Sequence, residues 1–305
     1  MIKRELYEET LFQTIVRGAT KISPDVGAAF ERAIARETHP EAKEGLVKTY
    51  ESLKLSEKLR KPACPDTGWP IFYFKVGNEC ELENGLMGLE EATRNAVRRA
   101  TKLGFLRATM KHPLTGYDPG DNIGTNIPDF TYKFVPGADI ELSYVAKGGG
   151  SECFGGTRHR VVAFADGVKG IEKFVVDAFI ASSRAGAICP PSILGVGIGG
   201  TANVAANLAK QAACLRTVGS HHPEPEFRAI EDGLYTALNS LKVGAMGAGG
   251  DTSVFAVNVE YAYTHIAGIA VATSSNCMVA RRASSRITAD GAVEELPSPN
   301  WFEGR

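Results

Sequence analysis

The chain lacks three features that would place it in a membrane, in a secretory route or on nucleic acid. No stretch approaches the roughly 18 uninterrupted apolar residues that a membrane-spanning helix requires. The N-terminus is charged at Lys3, Arg4 and Glu5, where a secretory signal would be apolar. Lys plus Arg (34) nearly balances Asp plus Glu (35), so no net field attracts nucleic acid or an anionic membrane. We therefore expect a cytoplasmic protein with no nucleic-acid or membrane partner.

Cysteine is also scarce, with 6 residues in a chain of 305. A chain of this length with 44% hydrophobic residues buries a large core and does not depend on disulfides. In a reducing cytoplasm its thiols stay reduced and available to metals.

Hydrophobic spacing predicts three helices in the first sixty residues and an alternation of strands and helices after them. We expect a mixed α/β (α+β) fold, with an N-terminal helical segment (1–60) and a body (61–305) that forms one catalytic domain with its site in loops. The predicted strands cover 71–76, 140–146, the region of 161, 192–198 and a last pair around His265. The predicted helices of the body cover 86–103, 171–183, 201–215 and 225–241.

Three cysteines lie in loop-like settings beside proline, glycine or a pair of arginines: Cys64, Cys189 and Cys277. Thiolates from three distant segments can hold three corners of a four-iron cluster and leave the fourth iron open as a Lewis acid. For each of these cysteines taken alone, an ordinary loop thiol is at least as good an interpretation as a cluster ligand. Cys153, in a glycine-rich loop, is a further candidate ligand, whereas Cys80 and Cys214 have structural settings.

The segment Gly195–Gly200 matches the G-x-G-x-x-G pattern of a dinucleotide-binding turn between a strand and a helix. A nicotinamide oxidoreductase is therefore one alternative. The pattern also needs a second strand that ends in an acidic residue, and residues 216–223 after the helix do not provide it. Glycines that allow close packing of a helix on a strand are the competing interpretation.

Several separated blocks, in order, resemble the class I, iron-sulfur family of fumarases and tartrate dehydratases, and specifically the alpha subunit of its two-subunit forms. The resemblance covers about residues 61–282. The matching blocks are 64–68, 106–108, 124–128, 147–152, 189–191 with 197–200, 264–265, and Cys277 before Arg281 and Arg282.

The resemblance implies a 4Fe-4S cluster held by Cys64, Cys189 and Cys277, whose open iron binds a 2-hydroxydicarboxylate and removes water from it reversibly. It implies that Asp66 acts as the acid at the departing hydroxyl and that His265 is catalytic and contacts substrate. The further substrate-binding residues that it implies are Arg107, Thr125, Asn126, Gly148, Gly149 and Gly150. Hydroxide is a poor leaving group, so a Lewis acid and a nearby proton donor suit this reaction.

Two departures from the family pattern concern the predicted site: Pro65 stands where the family usually has Gln, and Cys153 where the fumarases have Asn. The resemblance also implies a separate beta subunit that supplies the base and completes the site, in an α2β2 assembly. Fumarate/malate, L-tartrate and mesaconate remain open as substrates. An iron-sulfur electron carrier or regulator, with Cys153 as fourth ligand, remains the second alternative.

Overall fold

The computed structural model describes residues 1–186 and 188–303. Its helices are α1 (Arg4–Thr20), α2 (Pro24–Arg36), α3 (Pro40–Leu59), α4 (Gly85–Lys102), α5 (Gly149–Cys153), α6 (Gly167–Arg184), α7 (Ala202–Leu215) and α8 (Pro225–Ser240). Its strands are β1 (Trp69–Gly77), β2 (Asp129–Val135), β3 (Ile140–Lys147), β4 (Thr157–Val162), β5 (Ser192–Ile198), β6 (Val254–Tyr261), β7 (Ile269–Asn276), β8 (Arg282–Ile287) and β9 (Val293–Leu296). Within these residues, no helix is both long and apolar enough to span a membrane.

The chain forms two compact units, each built around one sheet. The first unit contains residues 1–24, 52–147 and 281–301, with a sheet of order β2-β1-β3-β8-β9. The second unit contains the described parts of 25–51, 148–280 and 302–303, with a sheet of order β4-β7-β5-β6. The sequence analysis divided the chain into two consecutive segments at residue 60, whereas each unit of the structure combines separate stretches of the chain.

One helix packs closely on each sheet, in addition to the core helices α4 of the first unit and α6 and α8 of the second. In the first unit, α1 lies against β3, and a Cβ on Gly18 would come within 2.8 Å of the Tyr144 ring. In the second unit, α7 lies against β5, and a Cβ on Gly195 or Gly197 would come within 2.0 Å of a carbonyl oxygen of α7. Both contacts require the absence of a side chain.

The mixed α/β fold and the three N-terminal helices are confirmed. The strands β2, β8 and β9 and the short helix α5 were not predicted. The sequence of β8 explains why: it is buried along most of its length, yet its core contacts are polar, such as the hydrogen bond of 2.7 Å between the hydroxyls of Ser284 and Ser143. Hydrophobic alternation cannot reveal a strand that is buried through hydroxyl pairs.

The strands on either side of His265 were expected to form a pair, and this part of the prediction was wrong. β6 and β7 do flank His265 in sequence, but β5 lies between them, parallel to β6 and antiparallel to β7. The loop of seven residues between β6 and β7 therefore crosses over the end of β5 instead of forming a hairpin.

Candidate functional site

The segment around Cys64 forms a turn that orients Asp66, all within the first unit. Cys64 and Asp66 are half-buried and precede β1. The Gly68 N–H donates a hydrogen bond of 3.0 Å to Asp66 Oδ1, and Gly68 has a φ of +72°. This is the side-chain turn that aspartate favours before glycine. The turn holds one carboxylate oxygen in a fixed direction beside Cys64.

Thr67 joins this turn to the segment that carries Arg107. Its buried hydroxyl accepts a hydrogen bond of 2.9 Å from the Arg107 N–H and donates one of 3.3 Å to the Arg107 carbonyl. The Arg107 side chain is exposed. The structure therefore brings the backbones of two predicted site residues, Asp66 and Arg107, together through Thr67, which sequence reasoning did not single out.

Asn122 fixes the loop that contains Thr125 and Asn126. It is 2% exposed, donates a hydrogen bond of 3.0 Å to the Arg107 carbonyl and accepts one of 2.9 Å from the Thr109 N–H. Its φ of +61° explains why an asparagine suits this position. Thr125 and Asn126 are both exposed on the same loop. The position of Asn122 in a stretch rich in glycine and asparagine was a signal that could have identified it.

Cys189 and Cys277 lie on adjacent loops of the second unit. Cys189 precedes β5, Cys277 follows β7, and these strands are antiparallel neighbours. The Met278 N–H donates a hydrogen bond of 3.2 Å to the Cys189 carbonyl, so the two loops are fixed side by side. Both cysteines are half-buried, and none of the six cysteines forms a disulfide.

The glycine run lies near the same end of the second sheet. Gly148, Gly149 and Gly150 lead into and open α5. The segment that follows is tied to β7, because the Ser275 N–H donates a hydrogen bond of 2.8 Å to the Gly156 carbonyl. We call the group formed by Cys189, Cys277 and this glycine run the cysteine end of the sheet.

His265 lies at the opposite end, with the turn at Gly199 and Gly200, and we call this the histidine end. The Gly200 N–H donates to the Tyr263 carbonyl at 3.2 Å. β7 has 8 residues, which at about 3.3 Å per residue make a length of about 25 Å between the two ends. The structure therefore does not bring His265 and Cys277 together within the second unit.

The environment of His265 excludes a buried core role. Its side chain is exposed, and its Nδ1 accepts a hydrogen bond of 3.1 Å from the Ala267 N–H. A neutral imidazole that accepts at Nδ1 carries its proton at Nε2. His265 can therefore donate a hydrogen bond from Nε2 to a group outside the loop.

The other cysteines differ in accessibility. Cys214 is fully buried in α7, and Cys80 packs against the core of the first unit. Burial, with a smaller contribution from the charge of Asp139, raises the pKa of the Cys80 thiol. Cys153 is exposed at the end of α5, near the cysteine end. Cys153 is therefore the exposed cysteine that lies near Cys189 and Cys277 in the second unit.

The glycine motif packs a helix against a strand. A Cβ on Gly195 would lie 2.0 Å from the Ala209 carbonyl oxygen, and one on Gly197 would lie 2.0 Å from that of Ala205. As expected, residues 216–223 form no strand, and the next strand, which follows only after α8 and lies parallel to β5, is β6. Its acidic residue Glu260 is 1% exposed and ion-paired at 3.0 Å with Arg216. A nucleotide ribose cannot reach that carboxylate.

The residue type of Cys189 and Cys277 suits an iron-sulfur cluster, and their loops are adjacent. Two half-buried cysteines lie on loops that a hydrogen bond joins, and thiolates are the usual ligands of such clusters. Next to Cys277, the Asn276 side-chain amide nitrogen is buried and has no hydrogen-bond partner within residues 1–186 and 188–303. Among the described residues, no group of three His, Cys, Asp or Glu side chains forms a metal site, and Cys64 belongs to the first unit.

The fold and these loops define a mixed α/β protein with a candidate metal centre built from cysteines. The model of one protein family, described as fumarate hydratase (fumerase), matches residues 8–286. The chain therefore belongs to the fumarate hydratase family and is a hydro-lyase.

Similar proteins extend this result over most of the chain. A Methanocaldococcus jannaschii protein provisionally named L(+)-tartrate dehydratase subunit alpha is 36% identical over 277 residues, which are 90% of this chain and 95% of that protein. The L(+)-tartrate dehydratase subunit alpha of Escherichia coli K12 is 34% identical over 248 residues, which are 81% of this chain and 79% of that protein.

Proposed function

We propose that the chain is the alpha subunit of a 4Fe-4S hydro-lyase that reversibly removes water from a 2-hydroxydicarboxylate, converting malate to fumarate or L-tartrate to oxaloacetate. The observation that carries the proposal is the Met278 to Cys189 hydrogen bond, which holds two candidate ligand loops side by side. The alpha-subunit names of the similar proteins support it.

The ligand set that we propose is Cys64, Cys189 and Cys277. When bound, the cluster supplies a Lewis acid that weakens the bond between the substrate carbon and its hydroxyl. Three protein ligands for four irons leave one iron for substrate.

Asp66 is the proposed proton donor for the departing hydroxyl. The base removes a proton from the neighbouring carbon, the electron pair forms the double bond, and the hydroxyl leaves with the proton of Asp66 as water. The hydrogen bond from the Gly68 N–H to Asp66 Oδ1 orients the carboxyl group for this transfer. In the reverse direction Asp66 accepts the proton from water.

The substrate carboxylates need donors in fixed positions. We propose that the Arg107 guanidinium binds one carboxylate through two parallel hydrogen bonds. Thr125, Asn126 and the backbone of Gly148, Gly149 and Gly150 are the further proposed contacts. The hydrogen bonds between the Thr67 hydroxyl and the Arg107 backbone fix the position of the arginine relative to Asp66.

His265 is also proposed to contact substrate, but not in the same chain as Cys277. The length of β7 separates the two, and this is several times the length of a four-carbon dicarboxylate. We therefore propose that His265 donates from Nε2 to substrate bound by another chain of the assembly. The expected assembly is α2β2, in which a beta subunit supplies the base.

The test is anaerobic production of the full chain alone and together with its beta partner. We expect iron and inorganic sulfide in the pair, and water removal from malate, from L-tartrate or from the hydrated form of mesaconate. Each substrate has its own readout, because fumarate and mesaconate absorb in the ultraviolet and oxaloacetate can be reduced by NADH in a coupled assay. Activity of the chain alone would contradict the split site, and a pair without iron would contradict the cluster.

A further inference from the structure

Asn276, the last residue of β7, has a buried side-chain amide nitrogen without a hydrogen-bond partner among the residues that the structure describes. The side chain is 1% exposed. Leaving a buried N–H group without an acceptor is costly, and such groups in native proteins call for an explanation. The residue that follows is the proposed ligand Cys277.

The strand register shows which face of the sheet Asn276 occupies. Residues directly opposite each other on antiparallel strands share a face, as do residues two apart on one strand. Ser274 lies opposite Gly195, whose Cβ direction meets Ala209 of α7, so Ser274 and Asn276 both lie on the face that α7 covers.

The glycine run is tied to the same face. Glu152 of α5 forms an ion pair of 2.8 Å with Lys210 of α7. The Asn276 amide is therefore buried at the cysteine end, on the side where the segment after Gly150 packs. Cys277 directly follows Asn276, so a ligand held by Cys189 and Cys277 would lie at this end of the strand.

We propose that the Asn276 amide donates a hydrogen bond to a sulfur of the cluster that Cys277 and Cys189 hold. The inference rests on the proposed function, because the acceptor is part of the bound cluster. Hydrogen bonds to cluster sulfurs raise the reduction potential and help to retain the cluster. Asn276 is a positioning residue in this arrangement, since it acts through the cluster and not on substrate.

Ser274 is a matched control on the same strand and the same face. It is 0% exposed, and its hydroxyl is also without a hydrogen-bond partner. It lies two residues further along β7 from Cys277, about 7 Å more distant. A change at Ser274 therefore alters burial and packing of β7 as a change at Asn276 does, without removing the proposed hydrogen bond.

The experiment compares Asn276→Asp, Asn276→Leu and Ser274→Ala in the full chain, produced anaerobically with its partner. Without substrate, we expect both Asn276 variants to lose iron in air roughly ten-fold faster than wild type, with a reduction potential shifted to more negative values. We expect Ser274→Ala to match wild type in both measurements. Circular dichroism confirms that each variant is folded.

A measurement on the wild-type protein tests the proposed hydrogen bond directly and does not depend on whether the variants fold. In the wild-type protein with 15N-labelled asparagine, pulsed EPR of the paramagnetic cluster should detect one coupled side-chain nitrogen. Absence of the coupling, or Asn276 variants with wild-type potential and cluster lifetime, would overturn the inference. An effect on KM alone would assign the amide to substrate and also overturn it. A wild-type protein without a cluster would instead refute the proposed function.

Discussion

The two ends of the second sheet are built differently. At the cysteine end, the non-glycine residues Cys189 and Ala280 have φ values of +48° and +40°, and the buried amide nitrogen of Asn276 has no partner in the described part of the chain. At the histidine end, the positive φ values of +86° and +68° fall on Gly199 and Gly200, which adopt them without strain. Strained backbone at non-glycine positions clusters at functional sites.

Side-chain exposure makes the same distinction. Tyr263 and Ile266, which flank His265, are 91% and 87% exposed, whereas Cys189 and Cys277 are half-buried. The cysteine end has the character of a site that encloses a ligand. The histidine end presents its side chains outward, as a contact with another chain requires.

The largest expected effect is at the cysteine end. Cys277→Ser removes a proposed cluster ligand, and loss of a Lewis acid that contributes several kcal/mol lowers kcat by about 1000-fold. The measurement is the dehydration rate together with iron and sulfide per chain. We expect both contents to fall with the rate.

Cys153→Ser is the matched control for that prediction. Cys153 is exposed and near the same end, but lies outside the proposed ligand set. We expect wild-type iron content and activity. A loss of iron in Cys153→Ser would instead favour the four-ligand cluster of an electron carrier or regulator.

The second prediction concerns the histidine end. His265→Asn removes the proposed Nε2 donor to substrate, and a hydrogen bond to a charged carboxylate contributes about 1.5 to 3 kcal/mol, or roughly 10 to 100-fold in kcat/KM. Iron content should not change, since His265 lies about 25 Å along β7 from Cys277.

Mixed assemblies test whether His265 acts in another chain. When His265→Asn and Cys277→Ser chains are produced together with the partner, some assemblies place an intact His265 loop beside an intact cluster. We expect activity above that of either variant alone. Mixtures that stay as inactive as the separate variants would show that His265 does not act between chains.

The sequence predicted those parts of the molecule that depend on local pattern. Local sequence pattern identified β5 with its observed bounds, as a short apolar run buried along its whole length, and the three N-terminal helices, through apolar residues at helical spacing. It missed β8, whose core contacts are hydroxyl pairs, and it could not show that β5 separates β6 from β7. Strand order depends on long-range pairing, which local pattern does not encode.

The candidate site was predictable in its residue types but not in its spatial grouping. The resemblance named the cysteines, Asp66 and His265, and the structure places Cys189 beside Cys277 while His265 lies at the other end. Asn276 had no sequence signal of its own, because its importance follows from burial and from a missing acceptor.

The third prediction tests whether the glycines of β5 serve packing alone. In Gly197→Ala the new Cβ would lie 2.0 Å from the Ala205 carbonyl oxygen, so α7 must shift, and we expect the free energy of unfolding to fall by about 1 to 3 kcal/mol. Urea denaturation measures it. Iron per folded chain should stay at the wild-type value.

Gly45→Ala in α3 provides the contrast, because nothing lies within 4 Å of its Cβ position. Alanine is the better helix former, so this variant should be as stable as wild type or more stable by up to about 1 kcal/mol. Equal destabilisation by both variants would contradict a packing role specific to β5.

The smallest effect is expected in the loop of residues 241–253, which hydrogen-bonds to Pro190, the residue after Cys189. The Met246 N–H donates to the Pro190 carbonyl at 2.9 Å, and Asp251 anchors the same loop through Lys242 and through the Thr38 N–H at 2.8 Å. The hydrogen bonds from Lys242 and then Thr38 hold the pKa of the Asp251 carboxyl well below its usual range.

A lowered carboxyl pKa in the folded state adds stability above the unfolded value of about 4, and the contribution is lost as the pH falls below it. Asp251→Asn should therefore lower the urea midpoint slightly at pH 7, and its difference from wild type should shrink as the pH falls from about 4 toward 2. Asp177→Asn, which removes an exposed ion pair with Lys173 in α6, should change the midpoint little. If the difference in urea midpoint between Asp251→Asn and wild type instead grows as the pH falls, the loop near Cys189 is held by contacts other than the Asp251 carboxylate.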